Sequence, residues 1–593
     1  MKLTDYVAGF LAQQGIRHAF VVSGGASLHL IHSIAEHPDI EHICPQHEQA
    51  GAMAADAYAR VTGNLGAAVA TSGPGATNLI TGICCAYYDS VPVLFITGQV
   101  ATFRFKGDTG VRQIGFQETD TVEMCKYVTK YAVMVKDPLR IRYELEKACH
   151  IAKSGRPGPV LVDIPDDLQR SNVNPDELEP FTPPVESKDA SLLQKQVDSC
   201  LAMLQTAHRP VLALGWGIRL AKAEKETRAL VERLGFPVVT TWAVTDFLPS
   251  RHPLAVGSWG THGTRFANFT IQNADLVLAV GTRLDTKATG SPPATFAREA
   301  KKIVVDVDRA ELDKFARFGL QPDLLIAADA KEFVSLLSRC LEGVSLPAIK
   351  PWLGRVTEWK EKYPACLGKY YEEIPVNPYV FVKSLSQQLV EEDVIFVDTG
   401  CSIAWMLQGF EFKEGQRLFH DFNNTAMGYG LPASIGASLA LGNRKVVCVT
   451  GDGSLQMNIQ ELITVLRHKL PIKIFLLNNH GHSMVQQTQE QWLGGKHVAT
   501  SIDGGLAFPD FVAVARAYGY STITITQNAE LPEKIAAALK TDGPVFCHVE
   551  IKSEHRVIPQ VKFGRALEDM DPALDRREFL QNMIVKPDPA SLQ

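Results

Sequence analysis

Acidic and amide side chains follow two neighbouring apolar segments of the chain. Gly451-Asp-Gly-Ser comes directly after the apolar run 445–450, and Asn478-Asn479 ends the next run, 472–477. Because strands of a βαβ unit end at the same edge of a sheet, both groups should face one crevice. Asp452 and Asn479 would then offer two oxygen ligands to Mg²⁺, which also takes ligands from phosphates. The spacing predicts a diphosphate held through Mg²⁺; the alternative is a tight turn in which Gly and Asp only reverse the chain.

Similar apolar runs recur along the whole chain, each followed by a Gly, Ser or Asp break and a helical stretch. They occupy residues 19–22, 67–71, 92–97, 159–164, 210–214, 276–280, 302–307, 394–397, 445–450 and 472–477. Apolar runs that alternate with helices are typical of parallel strands covered on both faces. We therefore predict an α/β fold with three doubly wound parallel sheets.

Two proline-rich polar segments, 180–189 and 346–352, divide the chain. Prolines in polar surroundings resist both helix and central strand, so these segments are predicted to be exposed linkers. The predicted domains span residues 1–182, 190–345 and 370–555, followed by a polar tail at 556–593. The tail is either a lid over the active site or a loose terminus.

The composition excludes several classes of protein. Of the 593 residues, 46% are hydrophobic and 21% charged, which is typical of a globular chain and not of a disordered one. A net charge of −6 argues against a nucleic-acid partner. No apolar run reaches the length of about eighteen residues that a membrane span needs, and no signal peptide is predicted. Eleven cysteines without CxxC spacing predict reduced thiols in the cytoplasm.

The motifs resemble those of the thiamine diphosphate-dependent enzymes, in particular the acetolactate synthase-like branch, which includes acetohydroxyacid synthases and 2-oxo acid decarboxylases. Besides Gly451-Asp-Gly and Asn478-Asn479, the resemblance rests on Thr71-Ser-Gly-Pro-Gly-Ala-Thr-Asn78, Ile96-Thr-Gly-Gln, Phe116-Gln-Glu-Thr-Asp and Gly428-Tyr-Gly-Leu-Pro-Ala-Ser-Ile-Gly. It covers about residues 1–555. It implies an N-terminal pyrimidine-binding domain, a central domain similar to FAD- or nucleotide-binding domains, and a C-terminal diphosphate-binding domain.

The resemblance also implies roles for individual residues. Glu48 would hydrogen-bond a pyrimidine nitrogen of the cofactor and so promote loss of its thiazolium proton; without the motif it would be a helix-start charge that complements the macrodipole. Asp452, Asn479 and the carbonyl of Gly481 would bind Mg²⁺, and Met427 would support the bent cofactor. The other predicted cofactor contacts and catalytic residues are Gly24, Gly25, Gly73, Pro74, Asn78, Gly451, Gly453, Ser454 and Met484, with Gln117 and His29 as catalytic candidates.

The central domain resembles the FAD-binding version found in the family. Arg283 would pair with a phosphate, and Asp306 would accept a hydrogen bond from a ribose hydroxyl. The full set of predicted nucleotide contacts is Gly215, Gly217, Thr261, His262, Gly263, Thr264, Arg283, Asp285, Asp306, Val307 and Asp329. Three alternatives stay open for this site: FAD, another adenine nucleotide, or no ligand.

The predicted substrate side departs from the family pattern. Thr488 stands where acetolactate synthases carry a tryptophan, and the loop 99–116 is longer than theirs. Phe116, His480 and His482 complete the predicted substrate pocket. The histidines would bind a carboxylate or move protons, or else be structural hydrogen-bonding groups.

The sequence thus predicts a carboligase that takes a 2-oxo acid such as pyruvate as donor and a second carbonyl compound as acceptor. One alternative is a decarboxylase that releases an aldehyde. A nicotinamide oxidoreductase is a second, because Gly428-x-Gly430-x-x-Ala433 precedes a helix, and a catalytically inactive binding homologue is a third. In the family, the counterparts of Glu48 and Asp452 meet across a subunit interface, which implies a homodimer or homotetramer.

Overall fold

Three six-stranded parallel sheets, each flanked by helices, organise the described part of this computed structural model, residues 1–184 and 189–592. The predicted fold class, an α/β chain with three doubly wound sheets, is confirmed. Most strands are fully buried, which explains why their sequences are almost continuously apolar. Within the first predicted linker, residues 185–188 lie outside the described residues.

The first sheet belongs to the N-terminal part of the chain. Its strands are β1 His18–Val21, β2 Glu41–Ile43, β3 Gly66–Ala70, β4 Val93–Gln99, β5 Tyr131–Met134 and β6 Val160–Pro165. Its helices are α1 Leu3–Gln13, α2 Leu28–Glu36, α3 Glu48–Thr62, α4 Pro74–Asn78, α5 Ile80–Tyr88, α6 Thr121–Cys125, α7 Ile141–Lys153 and α8 Asp166–Gln169. The strands lie in the order β2-β1-β3-β4-β6-β5.

The second sheet forms the centre of the chain. Its strands are β7 Pro210–Leu214, β8 Val238–Thr240, β9 Ala255–Ser258, β10 Leu276–Val280, β11 Lys301–Asp306 and β12 Leu324–Ala327. The helices are α9 Ala190–Leu204, α10 Gly217–Leu220, α11 Glu224–Leu234, α12 Arg265–Gln272, α13 Thr286–Thr289, α14 Arg309–Asp313, α15 Phe315–Phe318, α16 Ala330–Cys340 and α17 Lys350–Lys362. The strand order is β12-β11-β10-β7-β8-β9.

The third sheet repeats the strand order of the first. Its strands are β13 Val394–Val397, β14 Arg417–Phe419, β15 Val446–Gly451, β16 Ile472–Asn478, β17 Ser521–Ile525 and β18 Val545–Glu550. The helices are α18 Pro378–Gln388, α19 Cys401–Gly409, α20 Gly430–Ala440, α21 Asp452–Met457, α22 Leu462–Arg467, α23 Ser483–Trp492, α24 Phe511–Tyr518 and α25 Leu531–Lys540. The order β14-β13-β15-β16-β18-β17 matches that of the first sheet strand for strand, a duplication that no repeat in the sequence indicated.

Helices α3 and α20 hold the first and third sheets together. They pack so closely that a Cβ atom on Gly436 would lie 2.0 Å from the carbonyl oxygen of Ala54. Apolar residues from the strands and helices of both parts, among them Phe20, Ala55 and Ile435, share one buried cluster. The N-terminal and C-terminal parts are therefore joined through a common core.

The C-terminal tail packs on the central part of the chain. It contains β19 Gln560–Val561, β20 Met570–Asp571 and α26 Arg576–Asn582. Leu567 and Phe579 are buried in the core of the central sheet, and Asn582 accepts a hydrogen bond from the indole of Trp359 at 2.9 Å. These contacts do not fit a loose terminus, whereas the lid stays a prediction. No helix among the described residues is long and apolar enough to cross a membrane.

Candidate functional site

A cleft of about 1020 Å³ opens at the edge of the third sheet where β13 and β15 end side by side. The strand order reverses at this position, and open α/β sheets bind ligands at such switch points. Loops after the strands and the first turns of α19, α21 and α23 form most of the wall. The lining residues are Trp242, His262, Lys287, Thr399, Gly400, Cys401, Ser402, Ile403, Trp405, Thr425, Met427, Gly451, Asp452, Gly453, Ser454, Asn479, Gly481, His482, Ser483, Met484 and Val485.

Asp452 is buried at the bottom of this cleft. Its Oδ1 accepts a hydrogen bond from the backbone N–H of Gly453 at 2.6 Å, and its Oδ2 accepts from the N–H groups of Asn479 and Gly481, both at 3.1 Å. Burial raises the pKa of Asp452 to about 6, and the three N–H donors oppose that rise. A cation bound beside this carboxylate would favour its charged form.

The three predicted metal ligands lie next to one another. The amide atom of Asn479 that faces the other two lies 3.1 Å from the carbonyl oxygen of Gly481 and 3.2 Å from Oδ2 of Asp452. With the amide oxygen at that position, the nitrogen donates to Ser483 and three oxygens converge, an arrangement that a bound cation would stabilise. With the nitrogen there, Asn479 would instead donate to both oxygens. The described residues contain no cluster of three or more His, Cys, Asp or Glu suited to a metal. A cation here would therefore need carboxylate, amide and carbonyl oxygens together with ligands from a bound phosphate.

Gly453 leaves room that a side chain would fill. A Cβ atom at this position would lie 2.4 Å from Nε2 of His482 and 3.0 Å from the methyl group of Met427. His482 also contacts Phe508 edge to face, and burial lowers the pKa of its imidazole. The floor of the cleft thus combines hydrogen-bonding backbone with a neutral ring and an apolar side chain.

Three residues of the predicted substrate pocket lie outside this cleft. His480 pairs with Glu550 at 2.6 Å, and Thr488 donates a hydrogen bond to the carbonyl of Met484 within α23 at 3.2 Å. Phe116 belongs to the N-terminal part and is 88% exposed. Of the predicted pocket residues only His482 lines the cleft, because proximity in sequence to Asn479 does not fix the direction in which a side chain points.

A second cluster of predicted residues forms at the equivalent switch point of the first sheet. Glu48 begins α3, and its Oε2 accepts a hydrogen bond from the amide of Asn78 at 3.0 Å. A Cβ atom on Gly75 would lie 3.3 Å from the other carboxylate oxygen, and one on Gly73 would lie 2.9 Å from the carbonyl of Gln117. The segment 73–78 therefore contacts both Glu48 and Gln117.

The remaining residues predicted for the N-terminal part lie on the segments that follow β1 and β3. Gly24 packs against Thr71, and Gly25 begins a short turn that leads into α2, where His29 lies half-buried. Pro74 is the first residue of α4. No described residue of the N-terminal part lines the cleft that contains Asp452. Within one chain, the residues around Glu48, one half-site, therefore take no part in the cleft around Asp452, the other half-site.

A groove runs along the carboxyl edge of the central sheet towards the cleft. Two cavities of about 640 and 580 Å³ share five residues: Trp216, Gly281, Arg283, Phe422 and Asn423. The first also contains the predicted residues Gly217, Asp306, Val307 and Asp329. The second contains Asp285 and extends to Trp242 and Lys287, which line the cleft as well. An elongated ligand would fit from the end of β11 to the cleft.

The other residues predicted for this groove have structural contacts. A Cβ atom on Gly215 would lie 2.3 Å from the carbonyl of Gly281, and one on Gly263 would lie 2.6 Å from the backbone of Trp259. Thr264 caps α12, and Thr261 donates its N–H to the carbonyl of Lys287. His262 instead lines the main cleft, where burial lowers its pKa to about 3.

Sequence reasoning missed several residues of the cleft. Lys287 is the one lysine or arginine among the described lining residues, and burial lowers its pKa while the charge of Asp285 raises it. Trp242 and Trp405 form apolar walls. Lys287 lies in the same Gly281-Thr-Arg-Leu-Asp-Thr-Lys segment that suggested a nucleotide site. The sequence therefore identified the segment but could not show that the side chain of Lys287 points into the cleft.

The glycine-rich turn before α20 does not bind a dinucleotide in this arrangement. The carboxylate of Asp398 accepts hydrogen bonds from the N–H groups of Gly428 at 3.0 Å and of Gly430 at 3.1 Å. These are the donors that a pyrophosphate would need. The turn also follows a loop and not a strand, so the nicotinamide alternative is not favoured.

Comparison with known proteins agrees with this geometry. The chain matches three thiamine pyrophosphate enzyme domains: the N-terminal TPP binding domain over residues 1–124, the central domain over 197–337 and the C-terminal TPP binding domain over 398–549. It is 35% identical over 568 residues to an acetolactate synthase large subunit of Parasynechococcus marenigrum, covering 94% of this chain and 88% of that protein. It is 34% identical over 579 residues to the acetolactate synthase isozyme 3 large subunit of Escherichia coli, covering 95% and 97%. A chloroplastic acetolactate synthase 1 of Zea mays is also 34% identical, over 581 residues, covering 96% of this chain and 88% of that protein.

Proposed function

The chain belongs to the thiamine pyrophosphate (thiamine diphosphate) enzymes of the acetolactate synthase-like type, and from that premise we propose that it decarboxylates pyruvate or a related 2-oxo acid and transfers the acyl group to a second carbonyl compound. The product would be a 2-hydroxy ketone or an acetolactate-like acid. The observation that carries this proposal is the oxygen set of Asp452, Asn479 and Gly481 beside the open backbone of Gly453.

The cleft fits a magnesium diphosphate group. Asp452, Asn479 and the carbonyl of Gly481 would hold the Mg²⁺, and the backbone at Gly451, Gly453 and Ser454 would contact the diphosphate. When bound, thiamine diphosphate supplies a carbon nucleophile and an electron sink for decarboxylation. Met427 would support the cofactor, because its methyl group would lie 3.0 Å from a Cβ atom on Gly453 and so borders the space beside that glycine.

Lys287 is the residue best suited to bind the substrate carboxylate. It is the one cation among the described lining residues, and the buried walls around it strengthen its attraction for an anion. His262 and His482 are kept neutral by burial and would donate or accept hydrogen bonds without adding charge. Trp242 and Trp405 would exclude water from the acyl group.

The two half-sites support an assembly of at least two chains. Glu48 would act on the cofactor bound to a second copy, since the cleft of its own chain contains no described residue of the N-terminal part. Asn78 would orient the Glu48 carboxylate through the hydrogen bond at 3.0 Å. We propose a homodimer or a homotetramer with active sites at the subunit interfaces. The cytoplasmic location stays a prediction from sequence.

The groove in the central domain suits FAD better than a mononucleotide, because two cavities join end to end. Asp306 at the end of β11 would accept from a ribose hydroxyl, and the guanidinium of Arg283 would face the phosphates. The protein should then be purified with a bound flavin, or bind added FAD with quenched flavin fluorescence. Binding of ADP alone would indicate a mononucleotide site instead.

The test of the function is product analysis. The purified protein would be incubated with pyruvate, thiamine diphosphate and Mg²⁺, in parallel with the Glu48→Gln variant and a surface control, Glu41→Gln. Acetolactate or acetoin, lost in Glu48→Gln and retained in Glu41→Gln, is the expected result. Acetaldehyde as the only product would contradict carboligation.

A further inference from the structure

A second cavity, of about 970 Å³, lies outside the cleft between the central sheet and α19. Strands β8 and β9, the end of α17, the segment 364–366, α18 and the end of α19 form its walls. It shares no lining residue with the cleft.

The walls of this cavity contain hydrogen-bond donors without acceptors. The hydroxyls of Thr240, Thr245 and Ser258 are buried and lack a hydrogen-bond partner among the described residues. The ammonium of Lys360 donates to the carbonyls of Ser250 and Ala255, both at 2.9 Å, and retains a third N–H. Because the ammonium can only donate and each hydroxyl can donate, a ligand that supplies acceptors would satisfy all of these groups.

The charges around the cavity favour a monoanion. The Nζ atom of Lys383 lies 3.6 Å from Oε1 of Glu411. At this distance the two charges attract each other without a hydrogen bond. Lys360 adds a second positive charge, so the three ionised side chains leave one positive charge unmatched. Much of the remaining wall is apolar and includes Leu248, Val256 and Phe410.

We propose that this cavity binds a small monocarboxylate with an apolar body, its carboxylate accepting from Lys360, Lys383 and the buried hydroxyls. A carboxylate offers only acceptors, which matches the donors in the wall. The aliphatic or aromatic part of the ligand would pack on the apolar side.

A ligand in the cavity should change the affinity of the cleft for its own ligand, because both sites contact the same structural elements. Helix α19 begins at Cys401 in the cleft and ends at Gly409 in the cavity. The amide of Gln408, which lines the cavity, donates to the carbonyl of His262 at 3.1 Å, and His262 lines the cleft. Two ligands that bias the position of one element change each other's affinity by the same factor.

The experiment uses isovalerate, a branched monocarboxylate that lacks the 2-oxo group and so cannot be a donor substrate. Its binding to the full chain is measured by calorimetry with thiamine diphosphate and Mg²⁺ present. The variants are Lys383→Met, which removes a charge, and Ala365→Phe, which fills the cavity from a loop. The matched control, Lys369→Met, removes an exposed lysine outside the cavity.

We expect saturable binding that weakens at least tenfold in Lys383→Met and in Ala365→Phe and is unchanged in Lys369→Met. Isovaleramide, which has the same shape without the charge, should bind at least tenfold more weakly than isovalerate. Lack of saturable isovalerate binding, or equal binding by all variants, would overturn the proposal. An apparent dissociation constant for thiamine diphosphate that does not change with saturating isovalerate would contradict the coupling.

Discussion

The carboxylate of Glu461 accepts a hydrogen bond from the backbone N–H of Gln46 at 2.9 Å, two residues before Glu48. Glu461 is fully buried and belongs to the C-terminal part, where Thr464 also donates to it at 2.7 Å. Burial raises the pKa of Glu461 to about 7. The part of the chain that contains the cleft therefore also fixes the start of α3, where the carboxylate of the other half-site lies.

Glu461→Ala should lower kcat by roughly tenfold, because it removes the acceptor of the Gln46 N–H and so loosens the start of α3. Glu461→Gln retains an acceptor oxygen and should lose less. Steady-state kinetics of both variants would check this order, together with the KM for the 2-oxo acid, which should change little. A purely structural role would lower the amount of folded enzyme and leave kcat per active site intact.

Lys287→Met should raise the KM for a 2-oxo acid by roughly tenfold or more, since it removes the cation that would face the substrate carboxylate. Lys287→Arg retains the charge and should recover part of the loss. The affinity for thiamine diphosphate should be nearly unchanged in both, as measured by quenching of intrinsic tryptophan fluorescence. Equal losses of cofactor and substrate affinity would argue against substrate binding by this side chain.

Gly436→Ala should destabilise the protein by about 1–3 kcal/mol, because the new methyl group would meet the carbonyl of Ala54 and force α3 and α20 apart. Gly354→Ala is the matched control: this glycine lies in α17 with no atom within 4 Å of an added Cβ, and should gain up to about 1 kcal/mol. The midpoints of urea unfolding would show shifts of opposite sign. Stabilisation by both substitutions would mean that helix propensity, and not close packing, governs position 436.

Asp163 should make stability depend on pH. Burial raises the pKa of its carboxyl from 3.8 to about 7, although Thr97 and Gln99 donate hydrogen bonds that lower it. The stabilising contribution of the neutral carboxyl is complete below about pH 4 and is lost as the pH rises through about 7.

Asp163→Asn is neutral at every pH, so its stability relative to the original chain should increase between pH 4 and pH 8. The increase is at most about 4 kcal/mol, from a shift of about three units at about 1.4 kcal/mol each. Urea titrations at both pH values would measure it, with the exposed Asp542→Asn as control. A difference that stays constant with pH would contradict the assignment.

Local patterns predicted the strands and the groups at their ends. The run before Gly451 and the run before Asn478 both form buried strands, and Glu48 does begin a helix, because these features depend on neighbouring residues. Contacts between distant segments were not available from the sequence. Gln46 and Glu461 meet across 415 positions, and nothing in the polar tail indicated that Leu567 would reach the central core.

The directions of individual side chains also could not be predicted from the sequence. Lys287 and His262 lie in segments that resembled a nucleotide site, yet both line the cleft. His480 is next to Gly481 and two positions before His482 in the sequence. It nevertheless pairs with Glu550, because the turn after β16 directs its side chain towards β18. Sequence spacing identifies such a cluster but does not decide which of its members face a ligand.

The central claim is that each active site combines Glu48 of one chain with Asp452 of another. Two inactive variants, Glu48→Gln and Asp452→Asn, would be co-expressed with different tags, and the mixed assembly purified and assayed for acetolactate or acetoin formation. In a mixed dimer one site carries both substitutions and the other carries neither, so about half of the original activity per dimer is expected. Mixed dimers as inactive as either parent would contradict the claim.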